Sequence, residues 1–145
     1  MTWKILEEQQ PELAAFGAER LNGKVAYLAT VRQDGSPRVH PVTPIIGEQL
    51  FLFMEPTSPK GKDLQRDARY TLHCGVEDSD GGGGEFYVSG RATLTNDPAL
   101  RAQAVRASSY APADRYILFV LTIESAFMNR YVDDKPEPRR WRSKS

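Results

Sequence analysis

The sequence predicts a mainly β fold with flanking helices (α+β), built as an antiparallel sheet curled into a barrel. Three observations carry that reading. β-rich runs follow one another through most of the chain instead of alternating with helices, which disfavours a doubly wound parallel sheet. The runs 25–32 and 37–46 flank Asp34-Gly35, a strong hairpin signal. Pro37, Pro41 and Pro44 each remove a ladder donor from the second run, so that strand belongs at a sheet edge, interrupted or bulged.

The elements then follow in order. Residues 11–22 (PELAAFGAERLN) read as a helix: Pro11 starts it, Leu13, Phe16 and Leu21 form a partial apolar face, and Asn22-Gly23 end it, although Gly17 weakens the pattern. After the proline-rich strand, Gly47-Glu48-Gln49 turns the chain into LFLFM (50–54), a short buried strand. Ser58-Pro59 opens a short helix running to about Asp67, with Ser58 as N-cap and Pro59 at its first position. RYTLHCGV (69–76) is a strand with Tyr70, Leu72 and Cys74 on one face, and DSDGGGG (78–84) reads as a flexible turn. EFYVSGRATLT (85–95) is a strand with a bulge or close backbone approach at Gly90. DPALRAQAVRASS (97–109) is the clearest helix, capped by Asp97 with Pro98 behind it. YILFVLTIES (116–125) and AFMNRYV (126–132) read as two further strands, giving seven strands and three helices. From about residue 133 the tail DDKPEPRRWRSKS is proline-rich and basic, and no regular structure is expected there.

The 145 residues suit a single domain, 1–145. Nineteen basic residues balance nineteen acidic ones, which weighs against a dedicated nucleic-acid binder while leaving room for a local basic pocket. The lone cysteine, Cys74, allows no intrachain disulfide and fits a reducing compartment. The start lacks the apolar run of a signal peptide, and Ile117–Leu121 is far short of the ~20 residues that span a bilayer. A cytoplasmic protein without membrane attachment is the expectation.

Catalytic signatures are few. His40 and His73 are the only histidines and no paired metal-ligand spacing exists, so no metal site is expected. Nucleophile-elbow and phosphate-loop motifs are missing, so hard chemistry would have to come from a bound cofactor. The informative stretch is Ser58-Pro59-Lys60-Gly61-Lys62. It places two cations in a first helical turn, where the helix dipole favours anions. Either the lysines are solvated, or an anion such as a phosphate sits at that helix end. Arg38, on a strand expected to lie nearby, favours the second reading.

These residues carry a resemblance. LATVRQDGSPRVHPV (28–42), LFLFMEPTSPKGKDLQRDARYTLH (50–73), FYVSGRATL (86–94) and ILFVLTIE (117–124) together resemble the pyridoxamine 5′-phosphate oxidase-like family, over about two-thirds of the chain and in the family's order. The resemblance implies an antiparallel split β-barrel that forms a homodimer with FMN sites at the subunit interface. It implies phosphate contacts from Arg38, Ser58 and Lys60, with Lys62 replacing the charge that Pro59 lacks. It implies a cofactor-lining strand at Val39, His40 and Thr43, where Thr43 stands in place of the oxidases' lysine, and ring contacts from the Phe53-Met54 backbone. His40 would contact flavin or substrate, or serve as an edge-strand structural residue. Trp141 would cover the flavin of the other subunit, or pin the tail to the dimer surface. The chain ending departs from the oxidases, so vitamin oxidase activity is not carried over. The implied function is an FMN-dependent oxidoreductase acting on a small molecule. The alternatives are a deazaflavin-dependent reductase, with Lys62, Arg66 and Arg69 forming a wider basic groove, and a non-enzymatic flavin- or haem-binding protein using His40 or His73 as axial ligand. A cofactor-free split-barrel dimer acting as an interaction module is a third reading.

Overall fold

The computed structural model describes residues 1–144. Its elements are α1 (Trp3–Gln9), α2 (Pro11–Leu21), β1 (Ala26–Val31), β2 (Pro37–Val42), β3 (Ile45–Ile46), β4 (Leu50–Met54), α3 (Pro59–Arg66), β5 (Arg69–Cys74), β6 (Glu85–Thr95), α4 (Pro98–Ala107), β7 (Ile117–Val132) and β8 (Lys135–Arg142). All strand pairs are antiparallel, in the order β2-β1-β5-β6-β7-β4-β3, with β8 added to β7.

That order forces curvature. β2 and β3 are the opposite ends of the strand path, yet only Thr43 and Pro44 separate them. So short a link bridges only about 10 Å. The sheet must curl until its edges approach, and no ladder joins them, so the barrel stays split. The prolines sit as their chemistry requires: β2 is an edge strand, broken at Thr43-Pro44 before the two-residue β3.

The main core fills the barrel, with Leu28, Leu52, Leu72, Phe86, Phe119, Leu121 and Met128 inside it and Trp3, Leu6 and Leu13 closing one end. β4 is buried on both faces. Leu50, Leu52 and Met54 enter the main core, while Phe51 and Phe53 join Ile45, Leu118, Val120 and Ala104 of α4 in a second cluster. Two glycines mark close approaches. A Cβ on Gly17 would overlap the Phe86 ring, which explains a glycine inside α2. A Cβ on Gly90 would overlap the Thr122 carbonyl, at the register shift between Ser89 and Gly90.

Four expectations change. The first helix, α1, carries only Trp3 and Leu6 as buried residues and is capped by Thr2, whose hydroxyl accepts from the Ile5 N–H (3.2 Å). The stretches 116–125 and 126–132 form one sixteen-residue strand, β7. Its one side pairs with β6, and its other side is shared between β4 near the start and β8 near the end. The glycine-rich turn has local order, because Asp78 Oδ1 accepts from the N–H groups of Asp80 and Gly82. The tail is the largest correction: residues 135–142 are strand, not irregular chain. Asp133 and Asp134 both adopt positive φ (52° and 61°), as a two-residue hairpin turn of the I′ kind requires. Pro136 and Pro138, two apart, put their missing donors on one side, which suits a strand paired only with β7.

Candidate functional site

α3 lies against the end of β4. A Cβ on Gly61 would come within 2.9 Å of Met54 Sδ, so the glycine lets the helix start settle directly on that strand end. This contact carries Ser58 and Lys60 to Phe53-Met54. An open cleft of about 380 Å³ results, lined by Pro41 to Thr43 at the end of β2, Phe53 to Glu55 at the end of β4, Lys60, Tyr110 and Tyr116.

Ser58 caps α3 by its backbone position, but its side chain makes no capping hydrogen bond. Its buried hydroxyl accepts instead from Lys60 Nζ at 2.9 Å. Among the described residues Lys60 forms no ion pair, and burial alone pulls its pKa below the usual lysine value. A half-buried ammonium with no carboxylate is the feature an anion would complete.

Arg38 and His40 lie two apart on the half-buried face of β2. Arg38 Nε donates to Asp63 Oδ2 at 2.7 Å, inside an unforeseen hub. Asp63, 4% exposed at its side chain, also accepts from Thr30 Oγ1 (2.8 Å) and Arg66 Nη2 (3.2 Å). Burial would raise its pKa; the hydrogen bonds from Arg38, Thr30 and Arg66 more than offset that and hold the carboxylate below its usual range. His40 is pushed down by burial first, then by the positive charges of Lys60 and Arg38, so its imidazole is neutral at pH 7.

The predicted site residues therefore divide. Thr43, Phe53, Met54 and Lys60 share the cleft, Ser58 joins through Lys60, and Arg38 and His40 stand on the adjoining strand face. Val39 is 63% exposed on the opposite face of β2 and does not meet them. Lys62 is exposed on α3. Trp141 corrects the expectation of a cofactor cover or surface pin. Its indole is buried in the main core of its own chain, and Nε1 donates to Gln9 Oε1 at 3.1 Å. Its partner strand β7 faces the barrel there, opposite Ala126, so the ring is taken inward.

The cation set for a wider groove is also reduced. Arg66 donates to Asp63 and to the Val31 carbonyl, and Arg69 is fixed on Asp67. Of the two histidines, His73 has Nδ1 on the Cys74 carbonyl (2.6 Å) and Nε2 on Glu85 (3.1 Å), and it stacks on Tyr87. Neither of its nitrogens is open to a metal. Tyr110 and Tyr116 are residues that sequence reasoning missed. They come from the segment after α4, which Arg101 holds through the carbonyls of Tyr116, Ala113 and Asp114 and which Arg115 ties to Glu55. No local pattern announces them. Asp63 did leave a trace, as one acid inside the basic run KGKDLQR.

A rolled, unclosed sheet with a cation-bearing helix start on one strand end defines a split-barrel protein with a cleft suited to an anionic ligand. The chain belongs to the pyridoxamine 5′-phosphate oxidase family, whose sequence profile matches residues 11–130. No curated protein sequence matches it significantly. Among solved structures, the heme binding protein from Mycobacterium smegmatis is similar at a TM-score of 0.70 and 19% identity over 90% of this chain, which spans 57% of that protein. A NimC/NimA family protein from Clostridium acetobutylicum gives 0.69 and 16% identity, covering 95% of this chain and 96% of its own. An F420 reductase gives 0.57 and 18% identity, covering 75% and 94% respectively. At such identities the likeness establishes a common fold alone.

Proposed function

We propose that this chain is an FMN-binding oxidoreductase that works as a homodimer on a small molecule. One observation carries the reading: the half-buried Lys60 ammonium, bonded to the Ser58 hydroxyl without a countercharge, stands on the wall of a cleft formed by Thr43, Phe53 and Met54. A phosphate ester fits that need, and the apolar strand end beside it fits a flat ring. Ser58, Lys60 and Arg38 would hold the phosphate, and the Phe53-Met54 backbone would meet the ring edge. FMN, when bound, would supply hydride chemistry; the protein's part is to anchor, orient and leave one ring face open to substrate. Fixing Arg66 and Arg69 on internal partners favours FMN over the longer-tailed deazaflavin.

A second reading rests on His40. Its imidazole is neutral and, among the described residues, neither ring nitrogen has a hydrogen-bond partner, as an axial haem ligand would need. The similarity to a heme binding protein agrees with it. Titration of the purified protein with FMN, riboflavin, deazaflavin and haemin separates these readings. Saturable binding of one FMN per subunit, tighter than riboflavin, supports the oxidoreductase; a Soret band lost in His40→Ala supports haem; binding of none of them removes both.

A further inference from the structure

The proposed clamp has two halves on different elements: Arg38 on β2, and Ser58 with Lys60 at the start of α3. Something must hold them in register. Asp63 joins the two elements through its carboxylate. It belongs to α3, accepts from Arg38 Nε at 2.7 Å, and is itself pinned by Thr30 Oγ1 at 2.8 Å. Thr30 lies directly opposite Arg38 in the β1–β2 ladder and is 2% exposed, so the pin is set in the rigid sheet. Arg66 supplies a third donor to Asp63 from one turn further along α3.

We infer that Asp63 is a positioning residue for anion recognition: it consumes only the Nε–H of Arg38 and turns the terminal nitrogens of the guanidinium toward the helix start. This inference rests on the flavin reading above. The geometry supports it because, among the described residues, Asp63 is the only acceptor for Arg38, through Nε, and the terminal nitrogens have none. A guanidinium fixed at Nε loses little further rotamer freedom when it binds a phosphate, so the ordering cost of recognition is met in advance.

Electrostatics alone predicts the opposite role. Asp63 brings one negative charge among the four cations Arg38, Lys60, Lys62 and Arg66. A merely competing charge would weaken anion binding, and its removal would strengthen it. The two accounts therefore differ in sign. The role of Asp63 is also separable from general stability, because riboflavin carries the same ring as FMN without the phosphate.

The experiment measures FMN and riboflavin affinities by fluorescence quenching for the wild type, Asp63→Asn and Thr30→Val, with thermal melts of each. Wild type binding FMN more tightly than riboflavin is the starting condition, and its failure removes the phosphate clamp and this role with it. Given that condition, Asp63→Asn should weaken FMN by about tenfold or more while riboflavin stays within about twofold. Thr30→Val, which leaves every charge in place, should shift FMN in the same direction and keeps the question decidable if Asp63→Asn does not fold. FMN affinity that is unchanged or tighter in Asp63→Asn overturns the inference, as does an equal loss for both ligands.

Discussion

Lys60 and His73 are both half-buried cationic side chains, and their partners give them different work. Lys60 has a hydroxyl and no carboxylate, so burial lowers its pKa and leaves charge available to a ligand. Lys60→Ala should therefore weaken FMN binding by about 1.5–3 kcal/mol, the range for hydrogen bonds to a charged group, while riboflavin changes little; equal affinities would remove the clamp role. His73 is satisfied within the protein. Hydrogen bonding to Cys74, and then to the Glu85 carboxylate, favours the imidazolium against the effect of burial and raises its pKa from 6.5 to about 9. A raised folded-state pKa adds stability that is complete below 6.5 and disappears as pH rises through about 9. Denaturant melts across that window should show stability falling with pH, and His73→Gln should flatten the slope; partial exposure of the ring keeps the effect modest. The sequence identified Lys60 because a cation in a first helical turn breaks a local rule. It could not identify Asp63 as a hub, since its partners Thr30 and Arg38 are brought to it only by the folded sheet.

At the scale of the element, legibility followed the range of the interactions. The β1–β2 hairpin, the Asp97 cap of α4 and the bulge at Gly90 have local signals and form as expected, while Ser58 takes the N-cap position of α3 without a side-chain capping bond. α1 was invisible because seven residues with two buried side chains make little pattern, and it exists through its packing on the core. β8 was misread because proline is counted against strands, although an edge strand tolerates it on its open side. Both cases yield a test. Trp141 is a core residue on β8, so Trp141→Ala should cost about 3–5 kcal/mol of stability with no flavin bound; an unchanged melting curve would mean that β8 does not dock. Gly90→Ala forces a Cβ onto the Thr122 carbonyl, a backbone atom that cannot swing aside, and should cost about 1–3 kcal/mol or more in urea unfolding. Wild-type stability for this variant would show that the bulge can relax.

Over the whole molecule, the outer face of the curled sheet is less polar than a solvated surface needs to be. The register lines up Val39 and Pro41 of β2, Tyr27 of β1, His73 of β5, Tyr87 of β6 and Phe127 of β7 across neighbouring strands. Val39 is 63% exposed and Tyr27 46%, and the row ends with Tyr87 tilted on Phe127 and Arg140 above the Phe127 ring at 4.6 Å. α2 packs through Gly17 on Phe86 and α4 through Ala104 on the β4 cluster, away from this row of side chains. The opposite side of β2 carries Arg38 and His40, so a partner seated on the outer row would lie one strand's thickness from the proposed clamp. A stable dimer typically buries about 800 Å² per subunit, which several adjacent strands can supply. Tyr27→Asp combined with Val39→Asp places like charges on neighbouring strands of both copies and should convert the proposed homodimer to a monomer in sedimentation velocity. If the flavin site is completed by the partner, the same variant should also lose FMN affinity although it alters no residue of the cleft. A monomeric variant with undiminished FMN binding would show that each chain carries a whole site. A variant that remains dimeric would place the interface elsewhere.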